Sequence, residues 1–445
     1  MPETIAAQAT PPGQGGIGII RISGTSALQI AAKISQQKKL PPRRAVFSSF
    51  YDESGKILDE GLLLYFSTPN SFTGEDVIEL QLHGSPVIID LLLQTCVHHG
   101  ARLARPGEFS ERAFHNGKID LAQAEAIADL IESGTETAAR MATRSLQGVF
   151  SEYIHELVEQ LIHLRMYVEA AIDFPEEEID FLSDGKVQND LQNIIDKLDE
   201  VMEKAKQGSL IKEGMTLVIA GQPNAGKSSL MNALAGNELA IVTNVPGTTR
   251  DVLREKIQID GMPVHLIDTA GIRQSDNEVE IEGIRRAQQQ LQQADHILWV
   301  YDAVNDPDHL NFANTNLPGN VAVTFLRNKI DKLNETPVKN EAEKQISISA
   351  KTGDGMELLR EHLKNVMGYR GEESGEFLAR RRHIEVLKRA KKSLDQANSA
   401  LNEMQAGEIL AEELRLTQNA LNEITGEFTS DDLLGKIFSS FCIGK

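Results

Sequence analysis

Thr216-Leu217-Val218-Ile219-Ala220-Gly221-Gln222-Pro223-Asn224-Ala225-Gly226-Lys227-Ser228-Ser229 is the stretch that decides the fold of the middle of this chain. Its first five residues predict a buried strand, and they run without a break into G-x-x-x-x-G-K-S. A helical pattern follows, with Leu230, Ala233 and Leu234 on one face. In that setting the glycines let backbone N–H groups wrap phosphate oxygens, and the helix N-terminus adds favourable partial charge. Lys227 is placed to reach the β- and γ-phosphates, and Ser228 to offer its hydroxyl to Mg²⁺. The octet by itself recurs by chance in long chains, so its neighbours decide.

Three more strand ends answer it. Val264-His265-Leu266-Ile267 ends in Asp268-Thr269-Ala270-Gly271, an acid for the Mg²⁺ and an amide for the γ-phosphate. Val321 to Leu326 delivers Asn328-Lys329-Ile330-Asp331, and the carboxylate of Asp331 can accept from both N1–H and the 2-amino group of guanine. Adenine lacks those donors and would leave Asp331 unpaired, a mismatch worth roughly several kcal/mol in a dry site. Ile346-Ser347-Ile348 then leads into Ser349-Ala350-Lys351, placed for O6 of the base. Four motifs in this order, each at a strand end, imply a P-loop module that binds GTP.

Between the first two motifs lies Thr243-Asn244-Val245-Pro246-Gly247-Thr248-Thr249-Arg250-Asp251, in which Thr249 is chosen to complete the Mg²⁺ shell. Ile272 follows Gly271, where Ras-like proteins carry a glutamine that orients the attacking water. Isoleucine cannot do so. Asp276, Glu278, Glu280 and Glu282 are the nearby acids that could, although an acidic loop is most often only solvated.

The rest of the chain bounds the setting. At 445 residues it is too long for one core, and two to four domains are expected. Residues 1 to 118 read as mixed α/β, with strand-like Gly18 to Ile22 and Val77 to Leu82 between Gly/Pro turns. From Leu121 the period turns helical: Leu121, Ala124, Ile127, Ala128 and Ile131, then Ile154, Leu157, Leu161 and Val168, then Leu191, Ile194, Leu198 and Val201. It resumes after Gly371-Glu372-Glu373-Ser374-Gly375 with Ile384, Leu387, Leu394 and Leu401, then Leu410, Leu414, Thr417, Leu421 and Ile424. These one-sided helices need partners, so the blocks on either side of the middle are expected to form one bundle that the α/β module interrupts. The expected architecture is α+β and multidomain: 1–118, a helical part 119–210, the nucleotide module 211–372 and a second helical part 373–445.

No apolar run approaches the ~20 residues of a membrane span. The start lacks the pattern of a secretory signal, and two cysteines, Cys96 and Cys442, suit a reducing cytoplasm. Cys442 stands fourth from the end, as in prenylation, but Gly444 and Lys445 break that motif. Net charge is −20, so a nucleic acid partner is expected to be held briefly or jointly with a more basic protein. Basic clusters at Arg43-Arg44, Arg380-Arg381-Arg382 and Lys388 to Lys392 read mostly as solvated faces. A regulatory switch in ribosome or RNA assembly is the alternative to an enzyme, and it predicts a basic RNA-binding appendage.

Over its full length the chain resembles the MnmE (TrmE) family of tRNA wobble-uridine modification GTPases. The resemblance rests on Ala7-Gln8-Ala9-Thr10-Pro11-Pro12, Arg21-Ile22-Ser23-Gly24, Ser71-Phe72-Thr73-Gly74-Glu75-Asp76, Arg105-Pro106-Gly107-Glu108-Phe109, Asp173-Phe174-Pro175, the phosphate loop, Gly247 to Asp251 and terminal Phe441-Cys442-Ile443-Gly444-Lys445. It implies an N-terminal domain that dimerises and binds a tetrahydrofolate one-carbon carrier through Arg21, Glu79, Lys118 and Lys445. It implies K⁺ held by Asn224 with the carbonyls of Thr243, Val245 and Thr248, in the place of an arginine finger. It singles out Glu280 among the four acids as the group that positions water. It further implies a heterocomplex with the flavoprotein MnmG (GidA) that adds an aminomethyl or carboxymethylaminomethyl group at C5 of the wobble uridine.

Overall fold

The computed structural model describes residues 3–173, 185–236, 254–268, 294–307, 321–370, 375–404, 406–427, 431–439, 441 and 444. The N-terminal part comprises β1 (Ile5–Gln8), β2 (Gly15–Ser23), α1 (Ala27–Ser35), β3 (Val46–Tyr51), β4 (Ile57–Phe66), β5 (Val77–Gly84), α2 (Pro86–His98) and β6 (Arg102–Leu103). Its sheet runs β3-β4-β5-β2-β1-β6, antiparallel apart from the β1–β6 pair. Ile20, Ile22, Leu63, Ile78 and Leu80 alternate inward along their strands and pack with Ile30 and Ile34 of α1 and Ile89 and Leu92 of α2.

Five helices follow: α3 (Glu108–His115), α4 (Leu121–Glu132), α5 (Glu136–Leu146), α6 (Val149–Asp173) and α7 (Lys186–Glu213). Next come β7 (Met215–Gly221), α8 (Lys227–Ala235), β8 (Arg254–Ile259), β9 (Met262–Asp268), β10 (His296–Asp302), β11 (Ala322–Asn328), β12 (Lys339–Asn340), β13 (Gln345–Ile348) and α9 (Met356–Met367). The chain ends in α10 (Arg381–Ser399), α11 (Gly407–Thr425) and α12 (Asp431–Ser439).

The second sheet has the order β12-β13-β11-β10-β7-β9-β8, parallel from β13 to β9 and antiparallel at both edges. Parallel strands are buried on both faces, which is why β7 and β10 read as continuous apolar runs rather than alternating ones. The carboxyl ends of β7, β9, β10, β11 and β13 therefore share one edge of the sheet, where open α/β sheets bind ligands.

The chain divides into two compact units, residues 1–128 with 154–158 and 418–445, and residues 129–153 with 159–417. In the second unit α7 lies against α10, joined at the surface by Lys391 and Asp199 at 2.7 Å. Phe150 of α6 stacks on Phe377 with ring centroids 4.5 Å apart. The helices before and after the nucleotide module thus pack together, as their one-sided patterns require. Helix α5 goes further: Ala138, Met141 and Ala142 join the same apolar cluster as Met215, Leu217 and Ile257. In the first unit Leu121 and Ala124 of α4 pack on Leu434, Ile437 and Phe438 of α12.

Two helical stripes differ from their sequence reading. Ile131 is exposed and Asp129 buried, because Asp129 accepts from Lys212 at 2.6 Å and from Arg380 at 2.7 Å. A carboxylate with two cationic donors takes a core position that periodicity assigns to an aliphatic residue. Helix α10 ends at Ser399 and widens to a π-turn over Ala400–Met404, which keeps Leu401 buried although the α-helix has stopped.

Gly208 lies in α7, where a Cβ would stand 2.2 Å from the carbonyl oxygen of Phe377. Gly208→Ala is expected to lower stability by about 1–3 kcal/mol, seen as an earlier urea midpoint. Gly134→Ala, with open space around its Cβ, is expected to leave the midpoint in place. Equal midpoints for both variants would contradict the close approach of α7 to residue 377.

Candidate functional site

At the carboxyl edge of the second sheet, β7 ends at Gly221, whose φ of +142° turns the chain away from β10. A Cβ there would meet the carbonyl oxygen of Val300 at 2.0 Å, so the strand can leave the sheet only on a glycine. The loop re-enters at Gly226, φ +101°, the residue before α8. A Cβ at Gly226 would lie 2.2 Å from Nδ2 of Asn328, so the phosphate-loop motif and the base-reading motif touch through that pair.

Asn328 is buried at the end of β11, and both ends of its amide are used. Nδ2 donates to the carbonyl of Ala225 at 2.8 Å, and Oδ1 accepts from the amide N–H of Ala350 at 3.0 Å. Lys329 has a left-handed φ of +73°, and its Nζ donates to the carbonyl of Asn224 at 2.5 Å and to Oδ2 of Asp302 at 2.7 Å. Burial opposes the charged form of Asp302. The hydrogen bond from Lys329, with those from the Val304 amide and Asn305, overcomes it and holds the carboxyl down at about 2. Ser349 donates to Oδ1 of Asp331 at 2.7 Å, which restrains that carboxylate oxygen. Lys227 donates to the carbonyls of Gly221 and Gln222, each at 2.8 Å.

The structure therefore gathers Asn224 to Ser229, Asn328, Lys329, Asp331, Ser349 and Ala350, which the sequence holds about a hundred residues apart, and Lys351 follows directly. Asn328 and Lys329 act here as braces between loops. Asp302 was not foreseen; its signal is the one that marks the other motifs, an acid ending a continuous apolar strand. Asp268 closes β9, with its backbone alone described. Thr243, Asn244, Val245, Pro246, Gly247, Thr248, Thr249, Thr269, Ala270, Gly271, Glu280 and Lys445 lie outside the described residues. The donor set in view fits a polyphosphate: a left-handed loop at Asn224 (φ +63°), an ammonium at Lys227, and hydroxyls at Ser228 and Ser229 opening a helix.

The other candidate residues meet in the N-terminal unit. Arg21 and Glu79 face each other across β2 and β5, and Nε and Nη2 of Arg21 both donate to Oε1 of Glu79, at 3.0 and 2.8 Å. Nη1 of Arg21 donates to the carbonyl of Gly444 at 3.3 Å. The rings of Phe72 and Phe109 each lie 5.7 Å from the guanidinium carbon. Lys118 donates to the carbonyl of Pro69 at 3.1 Å, in the same loop that carries Phe72. Arg21 is thus a half-buried, paired and aromatic-flanked cation within a strand. The two rings, Phe72 in a loop and Phe109 in the first turn of α3, are additions that no periodicity could mark, since isolated aromatic residues read as packing.

Among the described residues no helix is long and apolar enough to cross a membrane. The family model described as GTP-binding protein TrmE N-terminus matches residues 4–118, and the MnmE helical domain model matches residues 121–442. The tRNA modification GTPase MnmE of Photobacterium profundum is 57% identical over 457 residues, covering 100% of this chain and 99% of that protein. Its counterpart in Legionella pneumophila (strain Corby) is 58% identical over 447 residues with the same coverage. A solved structure, the G domain of the T. maritima FeoB iron transporter, aligns with 34% of this chain and 98% of its own at 26% identity. Its TM-score of 0.26 is too low to carry weight. With both family models matched and full-length relatives at this identity, the chain belongs to the MnmE (TrmE) family of GTPases.

Proposed function

We propose that this GTPase works in tRNA modification: stimulated by potassium and joined by a flavoprotein, it adds an aminomethyl or carboxymethylaminomethyl group at C5 of the wobble uridine with a tetrahydrofolate one-carbon unit. The observation that carries the reading is full-length identity of 57–58% to relatives named tRNA modification GTPases. Supporting it, the described half of the nucleotide site has the donors GTP requires, and Asp331 is oriented by Ser349 for a guanine edge. The proposed division places a boundary at 118/119, close to where one family model ends at 118 and the other begins at 121, and takes 211–372 as the nucleotide module.

In this reading Lys227 and the loop from Asn224 to Ser229 hold the phosphates, while Ser228 and Thr249 hold Mg²⁺ with Asp268 behind them. The Asn224 side chain with the carbonyls of Thr243, Val245 and Thr248 holds K⁺, which when bound offsets charge developing on the β/γ-phosphate oxygens. Glu280 orients the attacking water in place of the glutamine that Ile272 replaces. Arg21, Glu79, Lys118 and Lys445 hold the folate, which when bound supplies the carbon. Oε2 of Glu79 faces no donor from Arg21, which bonds Oε1 alone, and a carboxylate oxygen of that kind suits the N–H edge of a pterin. The working form is a cytoplasmic homodimer whose nucleotide modules meet face to face.

Three measurements test this. GTP turnover is expected to be severalfold faster in KCl than in NaCl of equal strength, and equal rates would remove the cation. Asp331→Asn should move base preference from guanine toward xanthine by roughly two orders of magnitude or more, read as competition by XTP; retained guanine selectivity would refute the role of Asp331. Glu280→Ala should cut kcat by about tenfold or more with GTP affinity nearly intact, whereas a loss confined to binding would assign Glu280 to the wrong step.

A further inference from the structure

Charge in this protein is unevenly placed. From Thr4 to Tyr51 the chain has no aspartate or glutamate, yet it carries Arg21, Lys33, Lys38, Lys39, Arg43 and Arg44. With 65 acids in 445 residues, a stretch of this length would hold about seven. One of the six cations, Arg21, is consumed by Glu79. The others gather around the connection from α1 to β3. Gln36 ends α1 with a φ of +55°, and residues 38–39 and 41–45 are exposed.

The connection has a defined shape. Pro41 and Pro42 restrict its backbone. Leu28 and Ala32 of α1, with Leu40 and Pro41, wall a trough of about 580 Å³ that has Lys38 and Lys39 among its lining residues. Arg43 anchors the far end: its amide donates to the carbonyl of Tyr65 at 2.7 Å and its Nη2 to the carbonyl of Asn70 at 3.0 Å. Asn70 belongs to the loop that brings Phe72 onto Arg21 and takes the hydrogen bond of Lys118 at Pro69. The two acids of that loop are engaged elsewhere. Glu75 pairs with Arg112 at 3.0 Å and accepts from Ser23, and Asp76 accepts from the hydroxyl of Tyr65 at 2.9 Å and the amide of Thr68 at 3.0 Å. Among the described residues Lys38, Lys39 and Arg44 enter no ion pair and no side-chain hydrogen bond, and they are not needed to hold the fold.

We infer that the surface centred on Lys38, Lys39 and Arg44, in a stretch of chain without acids, grips the sugar–phosphate backbone of RNA beside the Arg21 site. In a chain of net charge −20, long-range attraction to RNA is unfavourable, so contact depends on a local excess of unpaired cations. Unpaired lysines supply charge without base selectivity, and the apolar trough between them accepts the face of a sugar or an unstacked base. The placement keeps the polynucleotide against the loop over Arg21. The inference rests on the tRNA reading above and adds the surface that holds the substrate.

The test uses the full-length chain and an unmodified tRNA transcript with uridine at the wobble position, with affinity measured against KCl concentration. Removing three phosphate contacts in Lys38→Ala/Lys39→Ala/Arg44→Ala is expected to weaken binding about tenfold or more and to flatten the salt slope by roughly 2–3. GTP turnover and the thermal midpoint stay at wild-type values. Removing three cations from α10 (Arg381→Ala/Lys388→Ala/Lys392→Ala) is expected to leave the slope unchanged; equal losses from both triples would mean that net charge alone is read, and would overturn the assignment. So would a wild-type slope in the first triple, or a triple that keeps tRNA but loses the flavoprotein, which would make the surface a protein contact. A wild-type chain that binds no tRNA at low salt, with or without the flavoprotein, would instead defeat the tRNA reading itself.

Discussion

The nucleotide edge depends on one side chain. The buried amide of Asn328 donates to the phosphate loop through Ala225 and accepts from the base-side loop through Ala350. Neither bond can be exchanged for water at that depth, and leaving either group unmade would cost about 1–3 kcal/mol. The same amide occupies the space a Cβ at Gly226 would need, so the glycine of the phosphate motif and the asparagine of the base motif are two halves of one contact. Lys329 adds a second brace, from Asn224 to a carboxylate at Asp302 that stays ionised because of it. The phosphate-loop motif and the loops carrying Asn328 to Asp331 and Ser349 to Lys351 are therefore joined directly to one another by side chains.

The helical part uses charge in the same way. Asp129 is buried with Lys212, in the last turn of α7, and Arg380, the residue that caps α10. Buried ion pairs contribute little net stability, but breaking one leaves a costly orphan, so such a triad specifies which helices meet. It fixes the two chain crossings into and out of the module near one point. Gln207 repeats the arrangement a few residues away, donating to the carbonyl of Gly368 at 2.8 Å and accepting from the amide of Arg370 at 3.1 Å. Together with the three α5 residues in the module's own core, these contacts make the junction a packed one.

The N-terminal unit is built on the opposite electrostatic plan. Three of its less exposed acids neutralise arginines: Glu79 on Arg21, Glu75 on Arg112, and Glu108, held at about 2 despite its burial by Arg102, the Arg105 amide and Arg112. What remains at the surface between α1 and β3 is cationic. A strongly acidic protein can thus present a region suited to a polyanion without changing its overall charge.

Sequence alone determined the guanine-nucleotide module, the placing of its motifs at strand ends, and the interrupted helical bundle. Those follow from signals local to a few residues: a continuous apolar run means a doubly buried strand, a glycine pair means backbone turned toward an anion, and a 3.6-residue stripe means a face that needs a partner. Tertiary structure decided what depends on partners distant in the chain. Asp129 displaced Ile131 from the core because two cations from other helices converge on it. Arg21 became a half-buried anchor because Glu79, Phe72, Phe109 and Gly444 surround it. Lys38, Lys39 and Arg44 stayed available because the acids of the neighbouring loop turned inward. No local pattern encodes these outcomes, since the worth of a charge is set by what folding brings within a few ångströms of it.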